Sequence, residues 1–304
     1  MKEIRSRNPF TRSLPYILLV VLSLPIILGY LWILVSTFST RCYGLIPVDQ
    51  QGNYFKGLTL SNWAFLYDKS KTLNASIWLL TLNTLIIAIG LTVGVVLVSM
   101  MAGYALSRIK FPGRKSFLSL TLILHSFPSV TLLIAIYFVL RWIASVPVIG
   151  RGIPLIGGFG YNTLGGVILV SIALQLPLGI WLMKGFFDNV SWDLERAALI
   201  DGCSRWRTWW QIMVPQIKPG IAALSIFSFM EGWKSFLIPY SFMTSQTKAT
   251  LSTLLNEMLS ETSPVNYGTL AAVGLYQLIP VLVFYIFTQK YLLNIFAGGV
   301  KGTA

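Results

Sequence analysis

The sequence predicts an all-α membrane protein with about six transmembrane helices. Hydrophobic residues make up 55% of the 304 residues, charged residues make up 11%, and the mean hydropathy is +0.71. Soluble globular chains carry about 25% charged residues, so this composition excludes an ordinary soluble domain. A helix needs about 20 mostly apolar residues to cross the hydrocarbon core of a bilayer. The apolar runs that come to about this length are Leu14–Phe38, Ile77–Tyr104, Phe117–Leu140, Gly166–Phe187, Gly220–Met243 and Thr269–Phe287.

The distribution of lysine and arginine predicts that both termini face the cytoplasm. Basic residues cluster in the N-terminal tail and in the loops after the second and fourth apolar runs, and they are sparser in the longer loops on the other side. Short cytoplasmic loops of membrane proteins carry an excess of basic residues. The net charge of +13 is then explained by loops that face anionic lipid head groups, without a nucleic-acid partner.

One long polar segment, Ser191–Pro219, interrupts the apolar pattern between the fourth and fifth runs. Ser191 is placed to cap a short helix whose first turn holds Asp193 and Glu195, as the helix dipole favours. Gly202 permits the left-handed backbone that ends such a helix. The pattern therefore predicts a short helix that ends at a glycine turn.

A second helix is predicted directly after this turn, with Ser204 as its cap and Pro215 and Pro219 at its end. Its apolar residues recur at helical spacing and form one stripe: Trp206, Trp209, Trp210 and Met213. A helix–glycine–helix of this size can insert into a groove on a partner protein. Alternatively, it can lie on the inner leaflet with its tryptophans among the head groups.

The run Glu195-Arg196-Ala197-Ala198-Leu199-Ile200-Asp201-Gly202, with Pro215 after it, resembles the Glu-Ala-Ala loop of the permease subunits of binding-protein-dependent ABC importers. Further segments are similar to the carbohydrate-uptake branch of these permeases, with the second permease subunit of the maltose type as the nearest likeness. They are Gly103–Arg108, Asn162–Ile168, Lys184–Phe187, Trp233–Pro239 and Phe296–Gly302. Two positions depart from the family pattern: Arg196 replaces a second acid, and Lys234 replaces an asparagine.

The resemblance implies a single transmembrane permease domain over residues 1–304, with its core at about 77–293 and a cytoplasmic coupling loop at 191–219. It implies a bacterial-type inner membrane location, a second and different permease subunit, two ABC ATPase subunits and an extracytoplasmic solute-binding protein. ATP and Mg²⁺ would belong to the ATPases, and this chain would hold no cofactor. The residues that would couple to the ATPase are Glu195, Arg196, Ala197, Ala198, Asp201, Gly202 and Pro215.

Two opposite charges, Glu231 and Lys234, lie three residues apart in the fifth apolar run and so share one helix face. Charges inside a membrane usually face a bundle interior or a watery pathway. The pair either neutralises itself and helps helices pack, or Lys234 meets the substrate or the companion permease in the translocation path. If Lys234 points into the path, an acidic sugar such as a uronate oligosaccharide would supply the anion. We assign Trp233 and Tyr240 to the same path.

The single histidine, His125, is predicted to be a packed polar residue rather than a metal ligand, because no other ligand type lies near it in the sequence. The sequence contains no Gly-x-x-x-x-Gly-Lys-Ser/Thr phosphate loop, so the chain is expected to depend on a separate ATPase. We also find no His-Glu-x-x-His or Gly-x-Ser-x-Gly motif, and we predict no catalytic residue and no metal site. The alternative function is an integral-membrane enzyme or a channel.

Overall fold

The all-α prediction is confirmed by the computed structural model, which describes residues 9–49, 51–72, 74, 76–147, 149–150, 156–259 and 266–298. The α-helices are α1 (Pro9–Thr37), α2 (Ile77–Arg108), α3 (Arg114–His125), α4 (Ser129–Ala144), α5 (Leu164–Asp188), α6 (Trp192–Ile200), α7 (Arg205–Arg207), α8 (Val214–Gln216), α9 (Lys218–Lys234), α10 (Leu237–Phe242), α11 (Leu251–Met258) and α12 (Tyr267–Gly298). The part of the family-like ending after Gly298 lies outside the described residues.

Four helical stretches are long and apolar enough to cross a membrane in the described part of the chain: Ser13–Thr37, Ile77–Arg108, Leu164–Asp188 and Tyr267–Gln289. Two bent helix pairs raise this number to six if each pair is one span. These pairs are α3 with α4, bent by 101°, and Arg205–Gln216 with α9, bent by 77°. The range of four to six agrees with the prediction of about six transmembrane helices.

Two of the predicted spans are interrupted, and in both cases a proline lies at or near the interruption. The predicted span Phe117–Leu140 breaks between α3 and α4 at Pro128, because a proline disfavours helical backbone at the residue before it. The predicted span Gly220–Met243 breaks after α9 at Ser235, whose backbone is not helical (φ −56°, ψ 124°). Pro239 lies four residues later and has no N–H to donate to the Ser235 carbonyl, which removes one hydrogen bond that a continuous helix would make there.

The chain divides into two compact units, and the first comprises Met1–Asn74 and Glu257–Leu278. After α1 the chain forms an antiparallel hairpin of β1 (Arg41–Tyr43) and β2 (Ile46–Val48). A short 3₁₀-helix follows at Ser61–Leu66. Its buried Asn62 donates hydrogen bonds to carbonyls of residues 36, 37 and 39, which satisfies the free carbonyl groups at the end of α1.

The second unit comprises Ala75–Asn256 and Ile279–Ala304, and its centre is the packing of α2 against α5 and α9. Glycines lie at these helix contacts. A Cβ atom on Gly103 would come within 2.8 Å of the backbone nitrogen of Lys184, and one on Gly232 within 2.7 Å of the Cα of Ala88. Small residues let transmembrane helices approach closely. Gly103 therefore permits the close packing of α2 on α5. The prediction of a single domain stays a prediction.

Candidate functional site

The polar segment begins with helix α6, and its predicted caps are confirmed. The backbone N–H of Asp193 donates to the Ser191 hydroxyl oxygen at 3.1 Å. Gly202 has φ +81°, in the left-handed region, and the N–H of Cys203 then donates to the Ala198 carbonyl at 3.0 Å. This geometry closes the helix and returns the chain sharply.

The predicted coupling residues of α6 and of the glycine turn after it divide into a buried and an exposed group. Glu195 and Ala198 are buried, whereas Arg196, Ala197, Asp201 and Gly202 are exposed. The exposed side also carries Ile200, which is 85% exposed. An apolar side chain this exposed beside small residues is suited to contact with another surface.

Glu195 lies inside the fold and is held by two residues of α2. Its Oε2 lies 3.1 Å from Nε of Arg108, and the side chains are only 11% and 3% exposed. The Tyr104 hydroxyl donates to Oε1 at 2.6 Å. The carboxylate therefore has a charge partner within the chain. The predicted coupling of Glu195 to an ATPase stays a prediction.

Arg108 joins three helices at this point. Its Nη2 donates to the carbonyls of Phe187 at 3.0 Å and Val190 at 2.6 Å, and its guanidinium carbon lies 4.5 Å from the ring centroid of Trp192. We call Tyr104, Arg108, Trp192 and Glu195 the brace. The brace was not predicted from the sequence, because a basic residue at the end of an apolar helix also fits an ordinary cytoplasmic anchor.

The second helix of the segment is irregular. Ser204 caps α7 as predicted, accepting a hydrogen bond from the N–H of Arg207 at 3.3 Å. A π-helical turn over Thr208–Met213 follows, and α8 contains Pro215. The predicted apolar stripe is split: Trp209 and Met213 are buried, while Trp206 and Trp210 are exposed. The split follows from the π turn, since i→i+5 hydrogen bonding rotates the side chains away from α-helical spacing.

A polar cavity of about 590 Å³ lies where α3 meets α4, beside α5 and the end of α9. Its polar lining consists of His125, Ser129, Ser171, Gln175, Glu231, Lys234 and Ser235. Nζ of Lys234 lies 2.9 Å from Oε2 of Glu231, and both side chains are more than half exposed. The predicted pair thus forms an ion pair and also faces a space that a ligand can enter.

The other residues assigned to the path are placed differently. Trp233 is 2% exposed and stacks on Phe229 with ring centroids 6.0 Å apart, so it does not line the cavity. Residues 233 and 234 lie about 100° apart around a helix, so their side chains point in different directions. The assignment of Trp233 to the path stays a prediction. Tyr240 is exposed and stacks on Phe236, which does line the cavity, at 5.1 Å.

Three cavity residues were not recognised from the sequence as lining a site. His125 is exposed on the cavity wall, where its Nδ1 lies 3.3 Å from the Leu174 carbonyl, so the prediction of a packed histidine was wrong. Ser171 Oγ and Gln175 Oε1 are buried without a hydrogen-bond partner in the described part of the chain. A glutamine four residues after a serine in an apolar helix is the signal that could have identified them, because both face the same side.

An apolar helical bundle with a polar cavity and a braced surface helix is typical of a membrane permease that works with a peripheral partner. Residues 94–292 match the family described as binding-protein-dependent transport system inner membrane component, and the chain belongs to that family. The resemblance seen in the sequence is thereby confirmed.

Sequence similarity to related proteins extends over most of the chain. The diacetylchitobiose uptake system permease protein NgcG of Streptomyces coelicolor is 29% identical over 91% of this chain and 85% of its own length. The maltodextrin transport system permease protein MdxG of Bacillus subtilis is 29% identical over 94% and 95%. The maltose/maltodextrin transport system permease protein MalG of Escherichia coli K12 is 32% identical over 69% and 68%.

Solved structures share the fold. A chain of a bacterial ABC transporter involved in the import of the acidic polysaccharide alginate superposes with a TM-score of 0.75 at 19% identity, over 96% of this chain and 99% of that one. A chain of the alginate ABC transporter in complex with its pentasaccharide-bound periplasmic protein gives a TM-score of 0.59 at 15% identity, over 93% and 96%. The architecture of this chain is therefore that of an ABC importer permease.

Proposed function

We propose that this chain is a transmembrane subunit of an ATP-driven importer and forms half of the translocation path for an oligosaccharide. The family membership supports import with a binding protein, and the names of the relatives, which take up diacetylchitobiose, maltose and maltodextrins, support an oligosaccharide. The observation that carries the proposal is the polar cavity beside α5 and α9, with unpaired Ser171 and Gln175 oxygens that can accept hydrogen bonds from sugar hydroxyls.

The movement driven by ATP hydrolysis in the partner ATPase reaches this chain through the polar segment between α5 and α9. The exposed surface of α6, formed by Arg196, Ala197, Ile200 and Asp201, docks onto a separate ABC ATPase on the cytoplasmic side. The brace transmits the movement of α6 to α2 and α5, because a buried ion pair with several hydrogen bonds moves as one body. The helices then switch access to the cavity between the two sides of the membrane.

The complete importer contains other chains. It has a second, different permease subunit, two ATPases that bind ATP and Mg²⁺, and an extracytoplasmic solute-binding protein that delivers the sugar. This chain carries no cofactor and does not hydrolyse ATP itself. Both of its termini lie in the cytoplasm, as the distribution of basic residues favours.

The substrate is an acidic oligosaccharide in this proposal, and Lys234 is the residue that supports it. The Lys234 ammonium carries three N–H donors, and Glu231 accepts from one side of it. The remaining exposed part of the Lys234 ammonium group faces the cavity, where a uronate carboxylate can bind. Because Glu231 neutralises the charge, we expect this site to hold an acidic sugar without trapping it.

The test is uptake by proteoliposomes that contain the complete importer. ATP-dependent uptake of tri-galacturonate and of maltotriose is measured for wild type, Lys234→Asn, Glu231→Gln and the double variant. Preferential loss of tri-galacturonate uptake in Lys234→Asn supports the acidic substrate. Equal loss for both sugars, repaired by adding Glu231→Gln, identifies a structural ion pair and ends the acidic-sugar proposal. If no oligosaccharide enters with ATP, the importer proposal itself is wrong.

A further inference from the structure

A second polar pocket lies at the other end of α5 from the polar segment that holds α6. Its volume is about 430 Å³, and its lining comprises Arg141, Gly157, Tyr161, Asn162, Thr163 and Lys248. Thr163 directly precedes the first residue of α5, whereas the brace contacts the last turns of the same helix. With α6 on the cytoplasmic side, as proposed above, this pocket opens on the extracytoplasmic side.

The two cations of this outer pocket are held in place by their surroundings. The guanidinium carbon of Arg141 lies 5.9 Å from the ring centroid of Tyr137 and 5.8 Å from that of Tyr161. Nζ of Lys248 donates to the Asn162 carbonyl. The pocket is therefore a built arrangement rather than two mobile surface chains.

The segment that carries Lys248 is held in place by hydrogen bonds with Asn83 and Asn162. The side-chain amide of Asn83 in α2 donates to the carbonyls of Thr247 and Ala249, both at 3.0 Å. The backbone N–H of Thr244 donates to Oδ1 of Asn162 at 3.2 Å. Lys248 is thus anchored on both sides to the body of the second unit.

The start of α5 borders the pocket at Thr163. The Thr163 hydroxyl accepts from the N–H of Gly166 at 3.0 Å and donates to the carbonyls of Gly158 and Gly160, which fixes the first turn. The N-terminal end of a helix carries a partial positive charge, and α5 has 25 residues. Two cationic side chains and a helix start therefore act on one concave space.

No carboxylate of the described residues lies within ion-pairing distance of Arg141 or Lys248. Lys234 in the inner cavity differs, because Glu231 lies beside it. An anion in the outer pocket would meet two cations that no described acid neutralises. A planar carboxylate suits the fork of N–H donors on a guanidinium.

We propose that the outer pocket binds a uronate unit of an acidic oligosaccharide before that sugar reaches the cavity with Glu231 and Lys234. This inference rests on the proposed import of an acidic sugar and adds a second site to it. The volume falls within the range of about 300–1,000 Å³ that is usual for small-molecule pockets. A concave space of this size favours a sugar unit over an acidic side chain of the solute-binding protein, which needs only a shallow surface contact.

The experiment measures binding of tri-galacturonate to the complete importer in nanodiscs, without the solute-binding protein. The variants are Arg141→Gln and Lys248→Gln, and the matched control is Lys56→Gln, which removes one exposed cation of the first compact unit. We expect each pocket variant to raise the dissociation constant roughly fivefold, and Lys56→Gln to leave it unchanged. The midpoint of thermal unfolding of each variant shows that the protein is folded.

Two further measurements separate sugar binding in the outer pocket from sugar binding beside Lys234 and from docking of the solute-binding protein. The Arg141→Gln effect should persist in a Lys234→Asn background, since the two sites are distinct. Equal tri-galacturonate binding by wild type and both pocket variants would overturn the proposal. Docking of the solute-binding protein to the importer is measured separately. If the pocket variants weakened only this docking, whichever sugar the binding protein carries, the proposal would also be overturned. Loss of all ATP-dependent uptake with Arg141-dependent binding retained would refute the import function and leave the outer site standing.

Discussion

The brace gives the sharpest expectation, because it assigns Glu195 an internal role. Glu195→Gln removes the charge that compensates Arg108 and points amide hydrogens at the guanidinium, while Oε1 can still accept from Tyr104. Breaking a buried ion pair costs about 3–5 kcal/mol. Arg108 keeps two backbone carbonyls and the face of Trp192 as partners. We therefore expect a loss of about 2 kcal/mol in the local stability of α6, which corresponds to about thirtyfold in its opening equilibrium.

The assay is hydrogen exchange of the amides of residues 193–203 in the purified permease pair without ATPases. Faster exchange in Glu195→Gln than in wild type supports the brace. Asp201→Asn is the matched control, since it removes an exposed carboxylate at the C-terminal end of α6, and the ion pair of Arg108 is with Glu195. Unchanged protection in Glu195→Gln, together with weaker ATPase binding, would refute the reasoning and assign Glu195 to the docking surface.

Two substitutions of glycine test the packing and the turn. Gly103→Ala places a Cβ 2.8 Å from the Lys184 nitrogen, so we expect a loss of about 1–3 kcal/mol and a lower midpoint of thermal unfolding. Gly185→Ala is the control, because its Cβ meets no atom within 4 Å, and an equal drop in both would contradict the packing argument. Gly202→Val meets open space but puts a β-branched residue at φ +81°, which costs about 1–2 kcal/mol. We expect an inserted subunit whose substrate-stimulated ATPase activity is mostly lost, and wild-type uptake would instead mean that the segment lies flat on the membrane.

Features that depend on residues close together in the chain could be predicted from the sequence. The apolar runs determined a helical membrane protein, because an exposed backbone cannot remain unsatisfied in lipid. Ser191, Gly202 and Ser204 determined the ends of the helices in the polar segment, since capping depends on residues that are neighbours in the chain. The ion pair of Glu231 and Lys234 followed in the same way from a spacing of three residues.

Contacts between distant parts of the chain were decided only by the tertiary structure. Arg108 and Glu195 are 87 positions apart, and Arg141 and Lys248 are 107 apart, so no periodicity joins either pair. The packing of α2 on α5 brings the first two together at one end of the bundle, and the loops at the other end bring the second two together. Whether a charged side chain is buried beside a partner or faces a cavity depends on which helices surround it. A sequence pattern gives the face on which a residue lies, and only the packed bundle determines what that face meets.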